Sequence, residues 1–122
     1  MSKILVVDDD GGLVKLIERV LTSQNIEVTS LVSACLMSSI INKDKFDAII
    51  TDLKMPAVDG FSVVEEVRRS GLNKDTPIIL MSGFLDKPSM ERMTSLGIQA
   101  ALVKPFSMKL LIDKISEVTH GK

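Results

Sequence analysis

Four short stretches of this chain carry residues whose types and spacing could do chemistry. In Phe46-Asp-Ala-Ile-Ile-Thr-Asp52-Leu-Lys-Met-Pro56, a short apolar run with β-branched residues delivers Asp52, and Pro56 forbids the strand to continue. Asp52 is therefore expected to be presented at a strand end rather than buried. Asp8-Asp9-Asp10 follows the apolar run Ile4 to Val7, Ser82-Gly83 follows Pro77 to Met81, and Lys104-Pro105 follows Ala100 to Val103. Carboxylates brought together repel, and without compensation at least one pKa should rise above the reference of about 3.9. A hard divalent cation and a lysine ammonium relieve that repulsion, and Mg²⁺ needs only one or two carboxylates plus a carbonyl oxygen and water. Such a set suits phosphoryl transfer: cation and lysine neutralise phosphoryl oxygens, a carboxylate attacks, and a hydroxyl reports the new group.

The elements that must position these residues alternate. Ile4 to Val7 is apolar throughout, as in a strand covered on both faces. Leu13, Leu16, Ile17, Val20 and Leu21 then recur with the spacing of a one-sided helix, capped by Asp10. Glu27 to Val32 is a weaker strand near an edge, and Ser33 is the expected cap of a second helix with Ala34, Met37, Ile40 and Ile41 inward. Asp59-Gly60 opens a third helix after the Met55-Pro56 break, with Phe61, Val64 and Val67 inward, ended by Gly71. Pro77 to Met81 is a fourth strand, Pro88 suits the first turn of a fourth helix carrying Met90, Met93 and Leu96, and Gly97 stops it. Ala100 to Val103 is a fifth strand, and Ser107 caps a last helix with Met108, Leu111, Ile112, Ile115 and Val118 on one face. His120 to Lys122 is a frayed tail.

Five strands alternating with five helices predict an α/β, doubly wound, parallel sheet with helices on both faces, a flavodoxin-like three-layer sandwich. Ligands of such sheets bind beyond the carboxyl ends of the strands. That rule puts Asp8, Asp9, Asp52, Ser82 and Lys104 along one rim.

The 122 residues form one domain, spanning 1–122, with no linker or repeat. A formal net charge of -1 offers no general attraction to nucleic acid or to an anionic membrane. Cys35 is the only cysteine, which excludes an internal disulfide and a cysteine metal cluster, and it reads as a small helix-face residue. No run approaches the roughly 18 apolar residues of a membrane span, so the cytoplasm is the default location.

Taken singly, Asp8-Asp9 also reads as a solvated turn, Lys104 as a surface lysine and Ser82 as a turn former. Their order and common strand-end placement argue for a site. Val6-Val7-Asp8-Asp9, Thr51-Asp52-Leu53-Lys54-Met55-Pro56 with Asp59-Gly60, Met81-Ser82-Gly83 and Lys104-Pro105-Phe106 together resemble a response-regulator receiver domain of two-component signalling, similar to the chemotaxis receivers, from Lys3 to the last helix. The resemblance implies strand order 2-1-3-4-5. It makes Asp52 the phosphoacceptor that attacks a phosphohistidine on a histidine kinase or phosphotransfer protein. Asp9, Asp52 and the Lys54 carbonyl would hold Mg²⁺ (or Mn²⁺) directly, with Asp8 acting mainly through water. Lys104 would pair with a carboxylate at rest and with the phosphoryl group after transfer, toward which Ser82 would turn its hydroxyl. The Lys104-Pro105 bond is expected to be cis, and the output surface for a partner protein or domain would be the fourth helix, fifth strand and fifth helix. Phosphorylation-dependent homodimerisation through the fourth-helix face would fit the family.

Two positions depart from that pattern. The switch aromatic of the fifth strand falls on Ala101, which has no rotamer to swing behind Ser82, and Phe106 is expected to pack in the core instead. Activation is therefore expected to be read through the Ser82 to Lys87 loop and the fourth helix. Lys54 and Phe84 flank the phosphoryl group in the family, and the bulk of Phe84 predicts slow self-dephosphorylation. A competing likeness is Asp8-Asp9-Asp10-Gly11-Gly12-Leu13, which resembles the nucleophile motif of haloacid-dehalogenase-type phosphatases with Asp8 as nucleophile; that reading leaves Asp52 without a role and lacks room for a cap.

Overall fold

The computed structural model describes residues 2–33, 36–55 and 58–120, the side chains of Val58 and His120 excepted. Its elements in chain order are β1 (Lys3–Val7), α1 (Gly11–Ser23), β2 (Glu27–Leu31), α2 (Met37–Lys43), β3 (Ala48–Asp52), β4 (Lys54–Met55), β5 (Val58–Asp59), α3 (Gly60–Arg69), β6 (Ile78–Ser82), α4 (Lys87–Ser95), β7 (Ala100–Val103) and α5 (Met108–His120). The main sheet is parallel throughout, in the order β2-β1-β3-β6-β7. This is the expected 2-1-3-4-5 order, with two short strands intervening in the numbering. β4 and β5 form a separate antiparallel pair that the apolar patterning had no means to announce, since each strand is two residues long.

Strand alternation builds the core on both sides of the sheet. Leu5, Val7, Ile49, Ile78 and Leu80 face α2 and α3, where Met37, Ile41, Phe61, Val63, Val64 and Val67 are buried. Ile4, Val6, Ala48, Ile50, Ile79, Met81 and Leu102 face α1 and α5, against Val14, Ile17, Leu21, Leu111 and Ile115. Asp10 caps α1 by accepting the Leu13 N–H at 3.1 Å, and Ser107 caps α5 by accepting from Leu110 at 3.0 Å. Gly97 takes a φ of 68° after α4, the left-handed backbone that favours glycine.

Three local expectations are corrected. On α1, Leu16 is exposed and Val14 is buried, because the helix is turned so that Val14, Ile17 and Leu21 line the seam. α2 begins at Met37 with Leu36 at its N-cap and no side-chain cap bond, so Ser33 lies ahead of the helix rather than at its cap; Ala34 and Cys35 fall outside the described residues. On α4, Met90 is exposed and no residue is fully buried, Met93 and Leu96 packing only partly against the core. Phe106 packs partly against the α1–α5 cluster. The Pro56 break and the Gly121-Lys122 end of the tail lie outside the described residues.

Candidate functional site

The alternation that builds the core also aims the site. Asp8 follows Ile4 and Val6, Asp52 follows Ala48 and Ile50, and Lys104 follows Ala100 and Leu102 at every second residue, all on the α1–α5 side. With β1, β3, β6 and β7 in register, the ends of three strands bring these side chains together. Lys104 Nζ donates to Asp8 Oδ2 at 2.8 Å and lies 3.5 Å from Asp52 Oδ1. Carboxylate oxygens of Asp8, Asp9 and Asp52 lie within 4.8 Å of one another.

Asp8 is fully buried, and both its oxygens are engaged, Oδ2 with Lys104 and Oδ1 with the Asp10 N–H at 2.9 Å. Asp9 is exposed at the mouth. Asp52 is only 6% exposed, against the expectation that a strand-end carboxylate would be presented to solvent. Lys104 lies against the end of the strand together with Asp8, so termination of the strand does not bring exposure.

Burial and the neighbouring Asp8 carboxylate push the Asp52 pKa above its ordinary value, against the opposing pull of Lys104 and of the Lys54 backbone N–H. Burial works against the Lys104 charge, but the hydrogen bond and charge of Asp8, with those of Asp52, outweigh it and raise that pKa overall. The lysine is thus held as a cation between two carboxylates. The three hard oxygen donors, one with no hydrogen bond to share and open to solvent, fit a small divalent cation that keeps several waters.

Ser82 spends its hydroxyl on another partner. It continues the alternation of Ile78 and Leu80 toward the α3–α4 side, and its hydroxyl donates to the Phe84 carbonyl at 2.7 Å and accepts the Phe84 N–H at 3.2 Å. Phe84 itself is 67% exposed. Ala101 is half-buried on β7, opposite Leu80, and leaves no large side chain there. The Lys104-Pro105 bond is cis, as expected.

Two supporting residues were not singled out for these roles from sequence. Gly60 opens α3 in direct contact with the end of β3: its N–H donates to the Leu53 carbonyl at 2.7 Å, and a Cβ there would lie 2.6 Å from Leu53 Cα and against the Asp52 carbonyl. The Asp59-Gly60 pair was visible, but its closeness to Asp52 depends on the β4–β5 hairpin. Arg92 of α4 pairs with Glu65 at 2.9 Å and Asp59 at 3.6 Å and lies 4.7 Å from the Phe61 ring centroid. An arginine on a polar helix face gives no such signal in sequence.

Residues 4–116 match the model of the response regulator receiver domain. A two-component response regulator of Oryza sativa, ORR26, is 36% identical over 111 residues, 89% of this chain and 19% of that protein. The probable transcriptional regulator ycf27 of Porphyridium aerugineum is 32% identical over 96% of this chain and 48% of its own length. The chain thus spans less than half the length of these curated relatives. Among solved structures, the Vibrio cholerae chemotaxis protein CheY4 superposes with a TM-score of 0.91 at 29% identity, covering 97% of this chain and 98% of that one. The receiver domain of the Pseudomonas aeruginosa sensor histidine kinase PA1611, whose structure has a magnesium ion coordinated in the active-site cleft, gives 0.86 at 26% identity over 99% and 98%. Among the described residues no helix is long and apolar enough to cross a membrane. By sequence, topology and fold, the chain belongs to the response regulator receiver domain family, the phosphoacceptor modules of two-component signalling.

Proposed function

We propose that Asp52 accepts the phosphoryl group, from a phosphohistidine on a histidine kinase or phosphotransfer protein. The observation that carries this reading is Lys104 Nζ reaching both Asp8 and Asp52 beside the exposed Asp9. An Asp52 carboxylate oxygen attacks phosphorus, the P–N bond breaks as the P–O bond forms, and the imidazole nitrogen keeps the electron pair and takes a proton. A carboxylate whose pKa is raised is a better nucleophile once ionised, and the lysine beside it stays charged to meet a phosphoryl oxygen.

Mg²⁺ or Mn²⁺, when bound, supplies further positive charge for the phosphoryl oxygens. Asp9, Asp52 and the Lys54 carbonyl would hold it directly. Asp8, with both oxygens already engaged, would contribute through water. Ser82 turns its hydroxyl toward the phosphoryl group after transfer, and Lys54 and Phe84 flank the mouth and govern water access. The altered α4–β7–α5 surface then engages an output protein or domain, or a second copy of the chain. The cytoplasm, where such kinases present their phosphohistidine, is the working compartment, and residues 1–122 act as one receiver domain.

The test is incubation with Mg²⁺ and acetyl phosphate, followed by borohydride trapping and mass spectrometry. Label is expected on Asp52 and is lost in Asp52→Asn. Label on Asp8 instead would overturn the reading in favour of a phosphatase-like nucleophile. Phe84→Glu is expected to shorten the phosphoryl half-life, read by loss of the trapped label with time.

A further inference from the structure

The sheet ends on one side at β2, and only half of that strand's backbone groups are used. Glu27 donates its N–H to the Ser2 carbonyl at 2.8 Å, and the Leu31 carbonyl accepts the Asp8 N–H at 3.1 Å. With Lys3 to Val7 in parallel register against Glu27 to Leu31, these two contacts fix the alternation. Glu27, Thr29 and Leu31 turn both backbone groups to β1, while Val28 and Ser30 turn both outward. Among the described residues no strand pairs with that outer edge.

Edge strands are ordinarily guarded against pairing by lysine, proline or a bulge. β2, Glu-Val-Thr-Ser-Leu, has none of these: its register is unbroken, and the carboxylate of its one charged residue, Glu27, lies 4.0 Å from Lys3 Nζ. Just beyond the strand, Val32 leaves an apolar side chain 57% exposed.

The sequence of the strand also selects the occupant of its edge. A strand that pairs antiparallel with its own copy about a twofold axis must set outward-facing residues opposite one another, so the axis passes at Val28, Thr29 or Ser30. An axis at Val28 needs the Ile26 N–H, which is already given to the Leu21 carbonyl at 3.0 Å, and an axis at Ser30 needs Val32, which lies beyond the strand. An axis at Thr29 leaves nothing over: Val28 of each copy faces Ser30 of the other and exchanges N–H and C=O bonds with it. The side chains agree with that register. Thr29 faces Thr29, a favourable cross-strand pair, and Glu27 faces Leu31, so no like charges meet. The exposed Val32 comes opposite Ile26, which is packed partly against the α1–α5 core. α1 flanks the joint, since Glu18 accepts the Ser30 hydroxyl at 2.5 Å, and Lys15 lies on the same helix face three residues earlier, so both signs of charge are brought there.

We propose that β2 is a dimerisation edge, at which two copies of the chain pair antiparallel about a twofold axis at Thr29 and join their sheets into one. The carboxyl-end rims of the two copies then point in opposite directions, and the α4–β7–α5 surface of each stays free at the far edge. Pairing is therefore independent of the phosphoryl group and does not compete with an output partner.

Sedimentation of the full chain from micromolar to millimolar concentration, without Mg²⁺ or phosphoryl donor, is expected to show a mass moving toward twice that of the monomer. Thr29→Lys sets two like charges across the axis, and Val32→Lys adds a charge at an exposed position that the fold tolerates. Each is expected to hold the mass at that of the monomer with unchanged circular dichroism. In a Cys35→Ser background, Thr29→Cys is expected to oxidise to a covalent dimer, since the Cα atoms of such a non-hydrogen-bonded pair lie about 4.5 Å apart, within the span of a disulfide. Val28→Cys and Ser30→Cys in that background face each other's position rather than their own and are expected to remain monomers. A wild-type mass that stays monomeric, or a dimer that survives both lysine variants, overturns the proposal, as does faster cross-linking at 28 or 30 than at 29. A dimer that forms only with acetyl phosphate and is unchanged by Thr29→Lys overturns it in favour of a joint at the α4 face.

Discussion

The rim of the sheet has two unlike halves. The ends of β1, β3 and β7 carry Asp8, Asp52 and Lys104, two nearly inaccessible carboxylates locked by one lysine, and α3 behind them buries Phe61, Val63, Val64 and Val67. The end of β6 carries Ser82, whose hydroxyl is spent on an exposed phenylalanine, and α4 behind it buries nothing fully. Reacting groups need fixed geometry, since misplacement by a fraction of an ångström costs rate, whereas a reporter needs a second arrangement within a few kcal/mol. The chain separates the two demands between neighbouring strands.

Removing the lock should have the largest effect. Lys104→Met leaves Asp8 buried beside Asp52 with no cation, and the loss of one partner of a buried pair costs about 3 kcal/mol, the lower part of the usual range, because 27% of the lysine side chain meets solvent. Urea titration at neutral pH without divalent cations measures it. A loss under about 1 kcal/mol, the scale of a surface pair, would mean that this half of the rim is no more rigid than the other.

Gly60→Ala tests the same half through the backbone. The added methyl would meet main-chain atoms of Leu53 and Asp52, which cannot swing aside as a long side chain can, so α3 or the end of β3 must move. Overpacking of this kind costs about 1–3 kcal/mol, and the displaced Asp52 should lower the rate of labelling by acetyl phosphate more than Lys104-independent properties such as overall helix content by circular dichroism. Full labelling rate in a destabilised variant would separate the packing of α3 from the placement of Asp52.

Asp52→Asn should have a smaller effect of opposite sign. The native state raises the Asp52 pKa, by burial first and by Asp8 second, so it binds the proton more readily than the unfolded chain. Below the ordinary carboxylate value of about 3.9 both states are protonated and the residue adds no pH-dependent cost. As pH rises from there through the raised native value, the wild-type protein loses stability relative to the asparagine variant, and the difference stays constant above that window. Metal-free D52N is therefore expected to melt higher than wild type at pH 7, with the gap closing under acid, as read by thermal scans across pH. Saturating Mg²⁺ should raise the melting temperature of wild type more than that of D52N.

Both halves of the rim were named from the sequence, but how tightly each is held was not legible there. Strand runs, capping residues and the strand-end rule put Asp8, Asp9, Asp52, Ser82 and Lys104 along one rim because each depends on local pattern and a parallel topology. Burial of Asp52 escaped that reasoning, since exposure at a strand end is decided by the side chains that wall it, here Asp8 and Lys104 from other strands. The orientation of Leu16 and Val14 on α1 was a matter of one helical step, and both are apolar, so periodicity alone did not choose between them. Met90, Met93 and Leu96 read as a core stripe, yet a narrow apolar stripe on a short helix does not say how closely the helix is pressed to the sheet. The ion pair that moors α4 is polar and nonlocal, since Arg92 and its α3 partner Glu65 are 27 residues apart in sequence.

That mooring gives the smallest expected effect and the finest test of the comparison. Arg92 joins α4 to α3 through Glu65, Asp59 and the face of Phe61, with its side chain 43% exposed. Exposed pairs and a partly solvated cation–π contact are together worth about 0.5–1 kcal/mol. Arg92→Ala should change global stability by no more than that, and raised salt should weaken the wild-type contact in the same direction. Its effect should instead be local. Arg68, which donates to the Leu96 carbonyl at 3.0 Å and to that of Gly97 at 2.9 Å, still holds the far end of α4, so loosening should concentrate in the first turns of the helix, next to the Phe84 loop. Hydrogen exchange should therefore quicken at residues 87 to 93 while α3 keeps its protection. Equal loss of protection in α3 would show that the two helices open as one unit, and that the reporter half of the rim is tied to the fixed half after all.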